Sequence, residues 1–295
     1  MTRILKIGAL IGVLAVGAGL WITQPKTVDP SDYVTLTGDA ENGALVFAAT
    51  GCASCHSNAA TGSELGGGKD FASDFGVFYA PNISQDAEQG IGSWDLVSFA
   101  SAMTKGTSPD GTHYYPAFPY TSYALMAPQD VADLYTYLQT TSADSTPSRP
   151  HDIAFPFNLR ITLGGWKLLF TTSDYMLDVG DSPAAQRGRY LVEAMGHCAE
   201  CHTPRNALGG LQRSAWMAGG PNPSGSGRIP NITPSEAGIG GWSEDEIVEY
   251  FATGFTPDFD VVGGSMGPVQ ENLAKLPEED LRAIATYLKL VPAID

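Results

Sequence analysis

Two short stretches of this sequence set two thiols and an imidazole at one fixed spacing, Cys52-Ala53-Ser54-Cys55-His56 and Cys198-Ala199-Glu200-Cys201-His202. Thiols three residues apart lie about one helical turn from each other. They can add to the two vinyl groups of a single porphyrin while the adjacent His offers its ring to the iron. That spacing is the signature of c-type haem attachment. A thioredoxin-like dithiol needs no His after its second cysteine, and a structural zinc site needs two ligand pairs in one small fold. Two disulfides would be open to an exported chain, but the 4 cysteines are all taken up by the two motifs. With 5 His in 295 residues, a His in that place twice is not coincidence. The pattern predicts two covalently bound haem c groups on Cys52, Cys55, Cys198 and Cys201, with His56 and His202 as proximal iron ligands.

The opposite axial position decides whether a haem transfers electrons or binds small molecules, and methionine there raises the potential. In single-haem cytochromes, which each half of this chain resembles, that ligand comes from the loop before the last helix. In the second half the loop is Gly263-Gly264-Ser265-Met266-Gly267-Pro268, which makes Met266 the sixth ligand of the second haem. The same register in the first half falls on Pro116, in the run Tyr114-Tyr115-Pro116-Ala117-Phe118-Pro119-Tyr120. No methionine stands there. Met126 is the favoured ligand for the first haem, with Met103, His113 and an open iron as the alternatives. Against Met126, its place before the last helix is held in the second half by Leu276, as a core position would be.

The elements around these motifs repeat in order. Gly43-Ala44-Leu45-Val46-Phe47 faces Gly188-Arg189-Tyr190-Leu191-Val192, and both lead into the cysteines with helical apolar spacing. Pro81-Asn82-Ile83-Ser84 faces Pro230-Asn231-Ile232-Thr233, and Gly90-Ile91-Gly92-Ser93-Trp94 faces Gly238-Ile239-Gly240-Gly241-Trp242. The helix Asp130 to Leu138 faces Asp280 to Leu288. The chain is a tandem duplication. Each unit opens and closes with a helix, and Gly- and Pro-rich stretches such as Gly62 to Gly68 and Gly219 to Gly227 read as loops between them. Loops that long have a large flat cofactor to pack on. The expected fold is all-α, two tandem class I cytochrome c domains with an N-terminal transmembrane helix. Residues 37–145 form the first domain, 146–181 an apolar connector, and 182–295 the second domain. Trp94 and Trp242 read as core residues or as partners of a haem propionate, and Arg228 as a second candidate for that contact.

Residues 1–36 read as a membrane anchor or signal followed by a stalk. Arg3 and Lys6 precede an uncharged apolar run from Ile7 to Thr23, near the roughly 20 residues a membrane span needs. The basic start places the remainder across the membrane, and Trp21 suits the interface. A cleaved signal peptide is the alternative, disfavoured because Leu20-Trp21-Ile22 continues the apolar run beyond the small residues. Either way the body is exported. The formal charge of -16 argues against nucleic acid as a partner and favours basic patches on partner proteins.

With both haem motifs, the Pro-Asn-Ile repeat, the Gly-Ile-Gly-x-Trp repeat, Tyr115-Pro116-Ala117-Phe118-Pro119-Tyr120 and Phe157-Asn158-Leu159-Arg160 in hand, the chain resembles the cytochrome c subunits of bacterial membrane-bound alcohol and gluconate dehydrogenases. The resemblance implies a periplasmic electron-transfer subunit in the bacterial inner membrane. Its donor would be a dehydrogenase catalytic subunit and its acceptor the respiratory chain or a soluble periplasmic redox protein, with no covalent chemistry on a substrate. Two departures stand out. The chain has two haem motifs where those subunits typically have three, and Phe118 stands where many of them have methionine. The alternative is a dihaem enzyme of the peroxidase or thiosulfate-oxidising type, with an open or displaceable site at the first haem.

Overall fold

The computed structural model describes residues 2–222 and 227–295, so residues 223–226 of the expected loop Gly219 to Gly227 lie outside the described residues. Helix α1 spans Thr2–Ile22. The segment after it is not a free stalk: Val28 and Tyr33 are buried in the core, and the Val28 N–H donates to Ser101 Oγ at 3.2 Å.

Helix α2, Ala40–Thr50, starts where the Asp39 carboxylate accepts from the N–H groups of Glu41 and Asn42. It stops at Gly51, whose φ of 62° turns the chain at once into α3, Cys52–His56. A hairpin follows, β1 Asp70–Ser73 and β2 Gly76–Tyr79, with Asp70 opposite Tyr79. Helix α4, Leu96–Lys105, is capped by Asp95; the short α5, Tyr120–Tyr123, precedes α6, Pro128–Leu138. In the connector, β3 (Asp152–Ile153) pairs with β2, and α7 covers Leu163–Phe170. The second unit opens with α8, Pro183–Arg189, which continues as a π-turn over Tyr190–Met195, followed by α9, Ala199–His202. The pair β4 Gly220–Pro221 and β5 Arg228–Ile229 comes next. Then come α10 Glu244–Thr253, with a Ser243/Glu246 capping box, α11 Met266–Leu273 and α12 Glu278–Leu290.

The chain is mostly helical, but not all-α as expected: among the described residues it also holds two small sheets. The hairpin arises because Asp70-Phe71-Ala72-Ser73 and Gly76-Val77-Phe78-Tyr79 carry β-branched and aromatic residues around a tight Asp74-Phe75 turn, a pattern too short to read against the helical repeat. The connector adds a strand to it rather than standing apart.

In each unit the first helix crosses the last at a glycine. A Cβ on Gly43 would sit 2.1 Å from Asp133 O of α6, and one on Gly188 would sit 1.9 Å from Ala283 O of α12. Backbone meets backbone there, so no side chain can move aside. Gly43→Ala and Gly188→Ala are each expected to cost about 1–3 kcal/mol through forced separation of the helices. Urea unfolding would detect this as a lower midpoint, and an unchanged midpoint would show that the crossings tolerate a methyl group. The second unit is further tied to the connector by Glu193. This buried carboxylate accepts from the N–H groups of Met176 and Leu177 and from Tyr287 O–H, and burial pushes its carboxyl up.

Candidate haem sites and the seam between them

The two Cys-x-x-Cys-His helices are held by the same set of bonds. His56 Nδ1 lies 2.7 Å from Pro81 O, and His202 Nδ1 lies 2.8 Å from Pro230 O. A carbonyl only accepts, so in both rings Nδ1 carries the proton and Nε2 keeps the lone pair that an iron needs. The His carbonyls are held in turn: Gly67 N–H donates to His56 O at 2.6 Å and Gly219 N–H to His202 O at 2.7 Å. Both glycines need left-handed backbone, with φ of 70° and 71°, and a Cβ on either would strike the Pro-Asn segment that carries the accepting carbonyl.

That explains the Pro-Asn-Ile repeat, which the sequence displayed without a role. The Asn side chain fixes the Pro carbonyl by turning the chain: Asn82 Oδ1 accepts from Ser84 N–H at 2.9 Å, and Asn231 Oδ1 from Thr233 N–H at 2.8 Å. Each Asn also donates from Nδ2 to the chain just past its unit's last helix, Asp144 O and Thr146 O in the first and Ile294 O in the second. Pro81 and Pro230 were missed as functional residues. Their identical context at the same place in both units was the signal that could have found them.

The thiols are not those of a redox dithiol. Burial pushes Cys52 up to about 11 and Cys198 up to about 12, whereas a reactive pair needs a depressed pKa. Thiols set one turn apart, three of them half-buried and Cys201 exposed, beside an imidazole whose Nε2 is available form the donor set that a covalently attached haem requires, so these residues fit the group.

The two sites meet across a pseudo-symmetric seam. Ser54, between the cysteines of the first motif, donates from Oγ to Pro268 O at 3.1 Å and accepts from Asn272 Nδ2 at 2.8 Å. Glu200, at the equivalent place in the second motif, accepts from Thr121 Oγ1 at 2.8 Å. The segment before the last helix of each unit therefore rests on the attachment helix of the other. His197 and Thr50, each just ahead of its unit's first cysteine, meet as well, Nε2 to O at 3.3 Å, and the rings of Tyr123 and His197 contact edge to face.

Met266 opens α11 and is half-buried, packed against the main core. Met126 and Met103 are both buried in that core, and Met126 is the residue before the α6 cap. His113 is buried with Nε2 donating to Thr23 O at 2.9 Å, which ties it to the foot of α1. Phe118 packs among Tyr114, Tyr120 and Tyr123, and the Tyr120 hydroxyl is buried without a hydrogen-bond partner among the described residues. Trp94 and Trp242 pack against the core. Arg228 is exposed on β5.

Two helical segments, each with a Cys-x-x-Cys-His helix and a carbonyl-oriented imidazole, place the chain among the c-type cytochromes. The family profile of cytochrome c matches residues 40–142 and 185–291, and the chain belongs to the cytochrome c family. It is 51% identical over its whole length to a "Diheme cytochrome c-type" protein of Cereibacter sphaeroides, which it also covers completely. It is 38% identical to the fructose dehydrogenase cytochrome subunit of Gluconobacter japonicus over 92% of this chain and 56% of that one. It is 33% identical to the cytochrome c subunit of the quinone alcohol dehydrogenase of Gluconobacter oxydans over 98% of this chain and 60% of that one. The chain thus spans little more than half of these dehydrogenase subunits. The similarity supports a part in electron transfer.

Proposed function

We propose that this chain is a membrane-anchored dihaem electron carrier of the periplasm. It would take electrons from a dehydrogenase subunit and pass them to the respiratory chain or to a soluble periplasmic acceptor. The observation that carries this reading is the seam: two attachment helices with identically oriented imidazoles, each braced by the other unit's segment before the last helix. Bound haem supplies an iron that cycles between ferric and ferrous states. The chain's own residues attach it through Cys52, Cys55, Cys198 and Cys201, orient His56 and His202 for the iron, and keep water out with a packed core. The dehydrogenase donor rests on the names of the relatives, and the anchor rests on α1, whose Arg3–Ile22 stretch is long and apolar enough to span a bilayer.

For the sixth ligands we assign Met266 to the second haem and Met126 to the first. A redox-poised near-infrared magnetic spectrum with and without carbon monoxide tests both the ligands and the function. Two haems with the methionine-to-iron band and no response to carbon monoxide are expected. Met126→Ala should abolish the band of the first haem only and open that iron to carbon monoxide. An unchanged first haem in Met126→Ala would remove Met126 from the assignment. A first haem in the unaltered protein that lacks the band and binds carbon monoxide would favour a dihaem enzyme over a pure carrier.

A further inference from the structure

The connector's helix α7 sits at the foot of α1. A Cβ on Gly164 would fall 2.0 Å from Thr23 O, the residue that follows the last turn of α1, so the two backbones touch. Gly164 lies on one helical face with Ile161 and Leu168, at spacings of three and four residues. Those two neighbours of the contact are not covered by protein: Ile161 is 61% exposed and Leu168 57%. At 1.5 Å rise per residue they stand within about 6 Å of Thr23 along the helix. On the α1 side, Trp21 and Ile22 are exposed too. The foot itself is fixed to the first unit by His113 Nε2 to Thr23 O at 2.9 Å and by Val28 N–H to Ser101 Oγ at 3.2 Å, so α1 does not swing on a loose tether. The stretch 153–173 carries no Asp or Glu, in a chain with 32 acidic residues, and its two basic side chains are taken up by protein: Arg160 donates to His113 O, and Lys167 to Lys105 O and Gly106 O.

We infer that the Ile161, Gly164 and Leu168 face of the connector is seated on the surface of a phospholipid bilayer, continuous with the point where α1 leaves it. The inference rests on the reading of α1 as an anchor. Exposed aliphatic side chains flanking an anchor's last residue share its depth, and burying them in the headgroup boundary removes them from water. An acid-free surround can approach an anionic leaflet, which would repel the acidic remainder of the molecule. The connector would then fix how far both haem sites stand from the membrane.

The test uses full-length holoprotein in nanodiscs of phosphatidylcholine and phosphatidylglycerol, with one spin label at Leu168→Cys, Ile161→Cys or, as a control, Leu290→Cys at the exposed end of α12. The native cysteines are held in thioethers and do not take the label. Power saturation should show the labels at 168 and 161 several-fold more accessible to oxygen than to a nickel chelate, and the label at 290 the reverse. Labels at 168 and 161 that behave like 290, on protein that remains in the disc with its N-terminus intact, would overturn the inference and leave the anchor standing. Labels shielded from both reagents would place protein on this face and overturn it as well. An intact mass lacking α1, with protein eluting apart from the discs, would overturn the anchor and this inference together.

Discussion

Replacing Cys198 and Cys201 together by alanine is expected to leave one haem per chain instead of two. Intact mass should fall by one haem beyond the change in side chains, and the alkaline pyridine haemochrome per chain should halve. Without thioethers the second haem would be held only by its axial bonds to Met266 and to His202 Nε2, whose ring orientation depends on a hydrogen bond to Pro230 O at 2.8 Å. A group that binds only the folded state adds its binding free energy to stability, so the second unit should also unfold at lower denaturant. The loss spreads to the first unit, because the helix carrying Cys201 supplies Glu200 to Thr121 and lies beside the contact of His197 with Thr50. The reciprocal pair, Cys52→Ala with Cys55→Ala, should retain the other haem, and the two spectra should sum to that of the unaltered protein. A full complement of two haems in either variant would contradict the reading of the motifs.

The attachment residues were legible because their chemistry is local. Two thiols and a His within five residues carry their meaning wherever the chain goes, and the repeat of order from Gly43 to Leu138 and from Gly188 to Leu288 falls within the two stretches that match the cytochrome c family. Pro81 and Pro230 were legible only as a repeat without a role, since nothing local links a proline carbonyl to a histidine 25 or 28 residues before it. The seam was out of reach for the same reason. Ser54 and Glu200 read as fillers between cysteines, and only the packing of one unit on the other gives Ser54 to Asn272, 218 residues away, and Glu200 to Thr121. The residues after α1 read as a stalk because Pro25 and Pro30 break helix, yet Val28 and Tyr33 are apolar and the fold buries them. Local breakers reveal where a helix ends and say little about whether the chain beyond is free.

Met266→Ala is expected to remove the methionine-to-iron band of the second haem and lower its midpoint potential by on the order of 0.1 V, a fraction of the about 0.8 V that axial ligation covers. Thioether sulfur favours the ferrous state, so its loss shifts the couple toward ferric iron and makes the second haem a poorer acceptor for electrons from the first. The fold should survive, because Met266 is only half-buried and the segment after it is held by other bonds. Asn272 Nδ2 donates to Pro268 O at 2.9 Å, Ser54 Oγ donates to the same carbonyl, and Gln270 Nε2 donates to Phe251 O at 2.8 Å. These bonds fix α11 against both the first haem motif and α10, and so set where its first residue stands. A methionine that merely filled space would show a different pattern: Met266→Leu, close in volume and apolar, would restore the potential and leave the spectrum alone. Ligation requires the sulfur, so the leucine variant should resemble the alanine one in both readouts while matching the unaltered protein in stability.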